Sequence, residues 1–226
     1  MKYVYEFIGT FFLVLTVGMT VLEPNSIGLW APLAIGSVLA VMVFAGGHIS
    51  GGHYNPAVSL SVFMRKKLSL QDLSLYWVAQ LGAGLVAAFT TLYFKGNGAE
   101  SPLAPDHMKA VIAEFLFTFA LCYIVLNVAT SKATAGNSYF GWAIGFTVLV
   151  GAYAVGSISG GAFNPAVALG MTILNLSSWS NIWIYLFGNL LGGAAAALIF
   201  NAAHQEECLE IVAKDDGSSV RARQKN

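Results

Sequence analysis

Six stretches of this chain, around Val4 to Leu22, Ala31 to Gly47, Leu73 to Phe94, Ala110 to Thr130, Tyr139 to Gly156 and Ile182 to Ala202, are almost free of charge. A hydrocarbon core of about 30 Å takes about 20 helical residues to cross, so each stretch reads as a membrane-spanning helix. Composition agrees: 57% of the 226 residues are hydrophobic and 10% are charged, too few charges to cover a soluble surface of this size. The first stretch follows a single Lys2, holds Glu6 and has no small-residue cleavage site before Glu23-Pro24-Asn25, a pattern that does not fit a signal peptide. With a formal net charge of zero, bulk electrostatics predict no nucleic-acid partner, and the lipid bilayer is the expected surroundings. An N-terminus in the cytoplasm puts nine of the eleven Lys and Arg residues inside and leaves Lys95 and Lys109 outside, which sets the expected orientation with both termini cytoplasmic. Cys122 falls in a span and Cys208 in the tail, so no disulfide is expected.

The chain also repeats itself. "HISGGHYNPAVSLS" from His48 returns as "SISGGAFNPAVALG" from Ser157, and Asn55 and Asn164, Gln80 and Asn189, and Gly84 and Gly193 all lie 109 residues apart. Glu6 and Glu114, each followed by Phe, lie 108 apart, so one insertion reconciles the set. A repeat of three spans crosses an odd number of times, so the second copy enters from the opposite face. The expected organisation is one channel domain over residues 1–204, with repeat one at about 1–94, a linker at 95–109 and repeat two at about 110–204, followed by a cytoplasmic tail at 205–226.

Each half holds one further apolar segment, Pro56 to Met64 and Pro165 to Leu174, too short to span and about half the needed length. Its entry is written in helix-start chemistry: Asn as N-cap, then Pro at the first helical position, where no backbone donor is required. The preceding Ser-Gly-Gly is expected to be extended. Irregular backbone at membrane depth persists only where protein buries it or where it lines a polar cavity. The carbonyls of Gly51, Gly52, His53 and Tyr54, and of Gly160, Gly161, Ala162 and Phe163, are therefore expected to form two ladders of acceptors. The Asn55 and Asn164 amides are expected to supply donors where the half-helices meet. Two half-helix N-termini aimed at the centre, each carrying about half a positive charge, repel cations and protons but not neutral hydrogen-bonding molecules. The spacing alone predicts a pore for small uncharged solutes.

The six-span pattern, the paired Asn-Pro-Ala turns (Asn55, Pro56, Ala57 and Asn164, Pro165, Ala166), the two leading Glu residues, "GHISGGHYNPAV" and "AQLGAG" resemble the aquaporin and aquaglyceroporin family over about residues 1–204. The resemblance implies an all-α membrane protein with six transmembrane helices and two re-entrant half-helices, and a homotetramer in which each protomer holds its own pore. It implies that the Asn-Pro-Ala turns form the central constriction, and that Glu6 and Glu114 are buried and brace the re-entrant loops. A proton relay is the competing role for a carboxyl inside a span.

One departure from the family pattern bears on selectivity. By counting from the turns, the four positions that set the family's outer filter fall on Ile35, Ala152, Gly161 and Val167. Water-selective relatives have an aromatic at the first, His at the second and Arg at the last. Here all four are small or aliphatic, so the filter is expected to be wide and to pass glycerol, urea or metalloid hydroxides as well as water. The alternatives are a strict water channel whose filter is refilled by Tyr153 or Phe163, with Trp142 also nearby, and a secondary transporter or low-flux structural membrane protein.

Other signals are weaker. His48 and His53 lack a third ligand nearby in sequence, so neither a metal nor a cofactor is expected. Ser50 and Ser159 lack the nucleophile turn of a serine hydrolase, and no enzymatic site is expected. Trp77, Trp179 and Trp183 read as interfacial or lipid-facing residues, and Gly82, Gly84, Gly192 and Gly193 as close helix contacts. The short loops suit a bacterial inner membrane.

Overall fold

The computed structural model describes residues 1–207 and is all-helical apart from one isolated bridge between Leu103 and Ser177. Eight helices follow in order: α1 (Lys2–Val21), α2 (Ala31–Ser50), α3 (Pro56–Met64), α4 (Leu70–Lys95), α5 (His107–Thr130), α6 (Phe140–Ser159), α7 (Pro165–Ile173) and α8 (Ile182–Ala203). All but α3 and α7 are long and apolar enough to cross a membrane. Those two, with 9 residues each, reach about halfway at ~1.5 Å per residue.

Packing follows the repeat. α1 lies on α4 as α5 lies on α8, each half-helix inserts against the other half's last span (α3 on α8, α7 on α4), and α2 meets α6 at the centre. Absent side chains permit these approaches. A Cβ on Gly84 would stand 2.7 Å from the Ala166 carbonyl oxygen, and one on Gly193 at 2.7 Å from the Ala57 oxygen. The same device closes α2 on α6, where a Cβ on Gly36 would lie 2.7 Å from the Gly145 oxygen. Gly192 is equally tight, at 2.6 Å from the Phe115 oxygen, but Gly82 is not, because its nearest neighbour is a Phe7 ring carbon at 4.0 Å. Gly193→Val is therefore expected to destabilise the protein by roughly 1–3 kcal/mol or more, because the obstructing atom is backbone, while Gly82→Ala is tolerated. Thermal unfolding in detergent compares the two, and equal melting temperatures would refute this packing.

The linker between the halves, from the end of α4 to the start of α5, is anchored: Ala99 N donates to Leu174 O (2.9 Å) and Leu103 N to Leu176 O (3.0 Å), tying it to the chain just beyond α7. The chain just after α8 is anchored as well. His204 stacks on Phe200, and Glu207 accepts from Arg65 Nη2 at 2.7 Å and from Ser131 Oγ at 3.3 Å. Arg65 is buried beneath this contact and lies over the Phe200 ring, as a guanidinium can when it is paired and stacked. Cys208 and the remainder of the tail lie outside the described residues, and Cys122 is a buried free thiol.

Candidate functional site: a cavity between two facing half-helices

Each half-helix begins as its sequence demands. Asn55 Oδ1 accepts from Ala57 N at 2.8 Å and Asn164 Oδ1 from Ala166 N at 2.9 Å, capping α3 and α7, with Pro56 and Pro165 in the first turn. The amide nitrogens do what the spacing did not foretell, for each crosses to the other loop. Asn55 Nδ2 donates to Phe163 O and Asn164 Nδ2 to Tyr54 O, both at 2.8 Å. An amide carries two N–H groups, so each Asn retains one, and both side chains border the same cavity.

This cross-bonding shortens the expected ladders. The Tyr54 and Phe163 carbonyls are occupied by the opposing amides, leaving Gly51, Gly52 and His53, and Gly160, Gly161 and Ala162, with no protein donor on their carbonyls among the described residues. Gly160, Gly161, Ala162 and Phe163 border one cavity with the Asn pair and His53, and Gly51 and His53 border a second, while Gly52 and Tyr54 border neither. The Ser-Gly-Gly backbone is not extended either. Gly51 and Gly160 take φ of 91° and 92° and Gly52 and Gly161 take 64° and 66°, left-handed values that end α2 and α6 and favour glycine.

Tyr54 and Phe163 adopt φ of 48° without being glycine, a strain of about 1–3 kcal/mol each. Their surroundings enforce it. Tyr54 N donates to Glu6 Oε2 and Phe163 N to Glu114 Oε2, both at 2.7 Å, so each strained residue is held by its N–H and its carbonyl at once. Glu6 also accepts from Ser50 Oγ (2.7 Å), His53 N (3.0 Å) and Gln80 Nε2 (2.8 Å). Glu114 accepts from Ser159 Oγ (2.7 Å) and Ala162 N (2.9 Å). Both carboxyls are fully buried, with four donors on Glu6 and three on Glu114, an arrangement that fixes loop backbone. Ser50 and Ser159 thus belong to the loop braces.

Two residues of this brace went unnoticed in the sequence. Tyr76 OH donates to Ser50 O at 2.6 Å and Tyr185 OH to Ser159 O at 2.7 Å. They stand 109 positions apart, and that common offset was the signal available. The symmetry is imperfect at Gln80 and Asn189. Gln80 reaches Glu6, whereas Asn189, one methylene shorter, takes a bond from Thr118 instead, and its own amide nitrogen is buried without a partner. Trp77 is likewise not merely lipid-facing, since its indole N–H donates to Pro56 O at 3.0 Å. Trp179 and Trp183 are exposed, as is His48, which stands apart from the buried His53.

The cavity has a volume of about 220 Å³ and is bordered by all four counted positions, Ile35, Ala152, Gly161 and Val167, together with Asn55 and Asn164. Its remaining walls are largely aliphatic, among them Val58, Leu121 and Val148. Tyr153 and Trp142 do not border it and are about half exposed, at 50% and 48%. Phe163 does border it, but its ring packs against Phe117 at 5.5 Å between centroids.

Six spanning helices in two matched sets, with two half-helices closing on a shared cavity, define a membrane channel of the aquaporin fold. Residues 1–200 match the model of the family described as major intrinsic protein, and the chain belongs to that family. Nodulin-26 of Glycine max is 35% identical over 209 residues, covering 88% of this chain and 76% of its own length. Aquaporin NIP1-1 of Oryza sativa subsp. japonica is 34% identical, covering 88% and 73%. The X-ray structure of the aquaglyceroporin from Plasmodium falciparum superposes with a TM-score of 0.76 at 20% identity, covering 92% of this chain and 98% of that one, a likeness of fold. These sequence relatives are plant proteins and lend no support to the expectation of a bacterial inner membrane.

Proposed function

We propose that this chain is a passive channel for water and small neutral solutes whose outer filter, formed by Ile35, Ala152, Gly161 and Val167, is wide and apolar enough to pass glycerol, urea or neutral metalloid hydroxides. The observation that carries this reading is that these four residues and the two cross-bonded Asn residues border one cavity with neither an Arg nor an aromatic side chain at the four positions. The outward placement of Tyr153 and Trp142, and the packing of the Phe163 ring against Phe117, argue against a refilled, water-only filter. Cation and proton rejection falls to the centre, where the N-termini of α3 and α7 and the remaining Asn N–H groups present positive potential. We further propose a homotetramer with both termini cytoplasmic, the Lys2, Arg65 and Lys132 face being the inner one.

Stopped-flow swelling of proteoliposomes with water, glycerol, urea and a neutral metalloid acid tests the reading. All four are expected to pass without saturation. Flux of water alone would overturn the wide filter, gradient-coupled saturating uptake would favour a transporter, and no flux would favour a structural role.

A further inference from the structure

We propose that Glu207 is a positioning residue for the pore: its carboxylate clamps together two helix ends that wall the inner mouth, and so sets how freely solutes pass there; this rests on the channel reading above. A second cavity, of about 370 Å³, shares His53 with the central one and opens toward Lys2, Lys67 and Asp72. Its lining includes Lys67 and Leu68, just past the end of α3, and Ala129 and Thr130, the last residues of α5. Glu207 joins these two walls where each helix stops. Its Oε2 accepts from Nη2 of Arg65, the C-cap of α3, at 2.7 Å, and its Oε1 from Oγ of Ser131, the C-cap of α5, at 3.3 Å. Lys132 N also donates to Oε2, at 3.4 Å. Helix ends open before helix centres, so a carboxylate that holds two of them fixes the width of the mouth they border.

The repeat shows that the fold does not require a charge here. At the outer end the matching place is aliphatic: Leu174, the C-cap of α7 and 109 positions beyond Arg65, is fully buried in a cluster with Leu22, the C-cap of α1, and Leu92 packs against them. At the inner end Arg65 stands for Leu174, Ser131 for Leu22 and Asn201 for Leu92, with Asn201 Nδ2 donating to Met64 O at 3.0 Å. Ala88 and Ala197, at the same offset, are fully buried in both halves.

A buried ion pair gives weak support to stability, because two charges lose their hydration, and packed aliphatic residues of similar volume serve as well or better. Three polar residues at positions where the other half uses aliphatic ones therefore point to geometry as what the contact supplies. A guanidinium set 4.9 Å from the centre of the Phe200 ring and bonded to a carboxylate fixes distance and direction, which aliphatic packing does not.

The test reads water and glycerol permeability in proteoliposomes, and melting temperature in detergent, for the full chain as wild type, Glu207→Ala, Glu207→Gln and the double variant Arg65→Leu with Glu207→Ala. Glu207→Ala is expected to lower both permeabilities about threefold or more and to leave their ratio unchanged, as released helix ends narrow the mouth. Glu207→Gln, long enough to accept from Arg65, keeps most of the flux. The double variant leaves no charge buried and is expected to melt near wild type with flux still low, which separates clamping from folding. Wild-type flux in the double variant overturns the proposal, and so does a shifted glycerol-to-water ratio in Glu207→Ala, which would place the effect at a filter. If Glu207→Ala is not recovered folded, the double variant is read in its place. Ala129→Cys, at an exposed position on the wall of the inner cavity, tests the clamp without flux in a Cys208→Ser background. Its labelling by a small water-soluble maleimide is expected to slow about threefold when Glu207→Ala is added, and an unchanged rate overturns the clamp. Absence of flux in wild type would fail the channel reading alone.

Discussion

Glu6→Ala is expected to prevent recovery of a folded channel, and Glu114→Ala to do nearly the same. Glu6 accepts four hydrogen bonds and Glu114 three, from groups buried at membrane depth. A buried donor stripped of its partner costs about 1–3 kcal/mol, so Glu6→Ala, which strips four, forfeits on the order of 4–12 kcal/mol. Native proteins hold about 5–15 kcal/mol in all, which makes the loss comparable to the whole. Relaxation offers little relief. Tyr54 holds its left-handed backbone with both polar groups engaged, so the strain it could shed on losing Glu6 is offset by the Asn164 contact to its carbonyl that the same movement breaks. Size-exclusion profiles and thermal melting in detergent provide the measurement, with Glu114→Ala expected to be slightly milder because Asn189 never reached its carboxyl. A monodisperse Glu6→Ala protein that melts with wild type would show that the carboxyl does not hold the loop.

Val167→Arg is expected to lower glycerol and urea flux by about tenfold or more while water still passes, because a long guanidinium fills an opening that Val leaves clear. Val167 follows the Asn-Pro-Ala turn directly and borders the cavity with Ile35, Ala152 and Gly161. The introduced charge has partners within the site, since the carbonyls of Gly160, Gly161 and Ala162 have no protein donor among the described residues. That supply of acceptors keeps the burial of one cation from becoming a folding defect, which would otherwise be severe. Larger-solute flux left unchanged by the substitution would remove Val167 from the constriction. Flux of every solute lost together, with the protein still folded, would mean the Arg plugs the pore instead of narrowing it.

Much of this architecture is legible in one dimension. Apolar length separates the six spans from the two half-helices, because crossing a bilayer is a matter of residues per ångström. Asn-Pro fixes where each half-helix starts, since capping and a missing N–H are local chemistry, and the Asn55 and Asn164 caps stand as the sequence implies. The common offset locates symmetry-related residues before any contact is known. Gly84 and Gly193 illustrate it, each meeting the carbonyl of the opposite half-helix at the same 2.7 Å.

The features that escaped a sequence reading are those in which one residue's partner comes from a distant part of the chain. The Asn55 and Asn164 amides cross between loops, a pairing about 110 residues long that no local pattern encodes. Tyr54 and Phe163 look like ordinary aromatics in sequence, where a left-handed backbone suggests Gly or Asn, and only the Glu6 and Glu114 carboxyls explain their conformation. Glu207 reads as part of a charged tail until Arg65 is found buried beneath it. By itself, then, the sequence determined the number of spans, the repeat, the two helix starts and the small or aliphatic residues at positions 35, 152, 161 and 167, all set by local length and chemistry. Only the tertiary structure decided which carbonyls remain open and which side chains face the cavity, because those depend on hydrogen bonds that form only when the two halves close on each other.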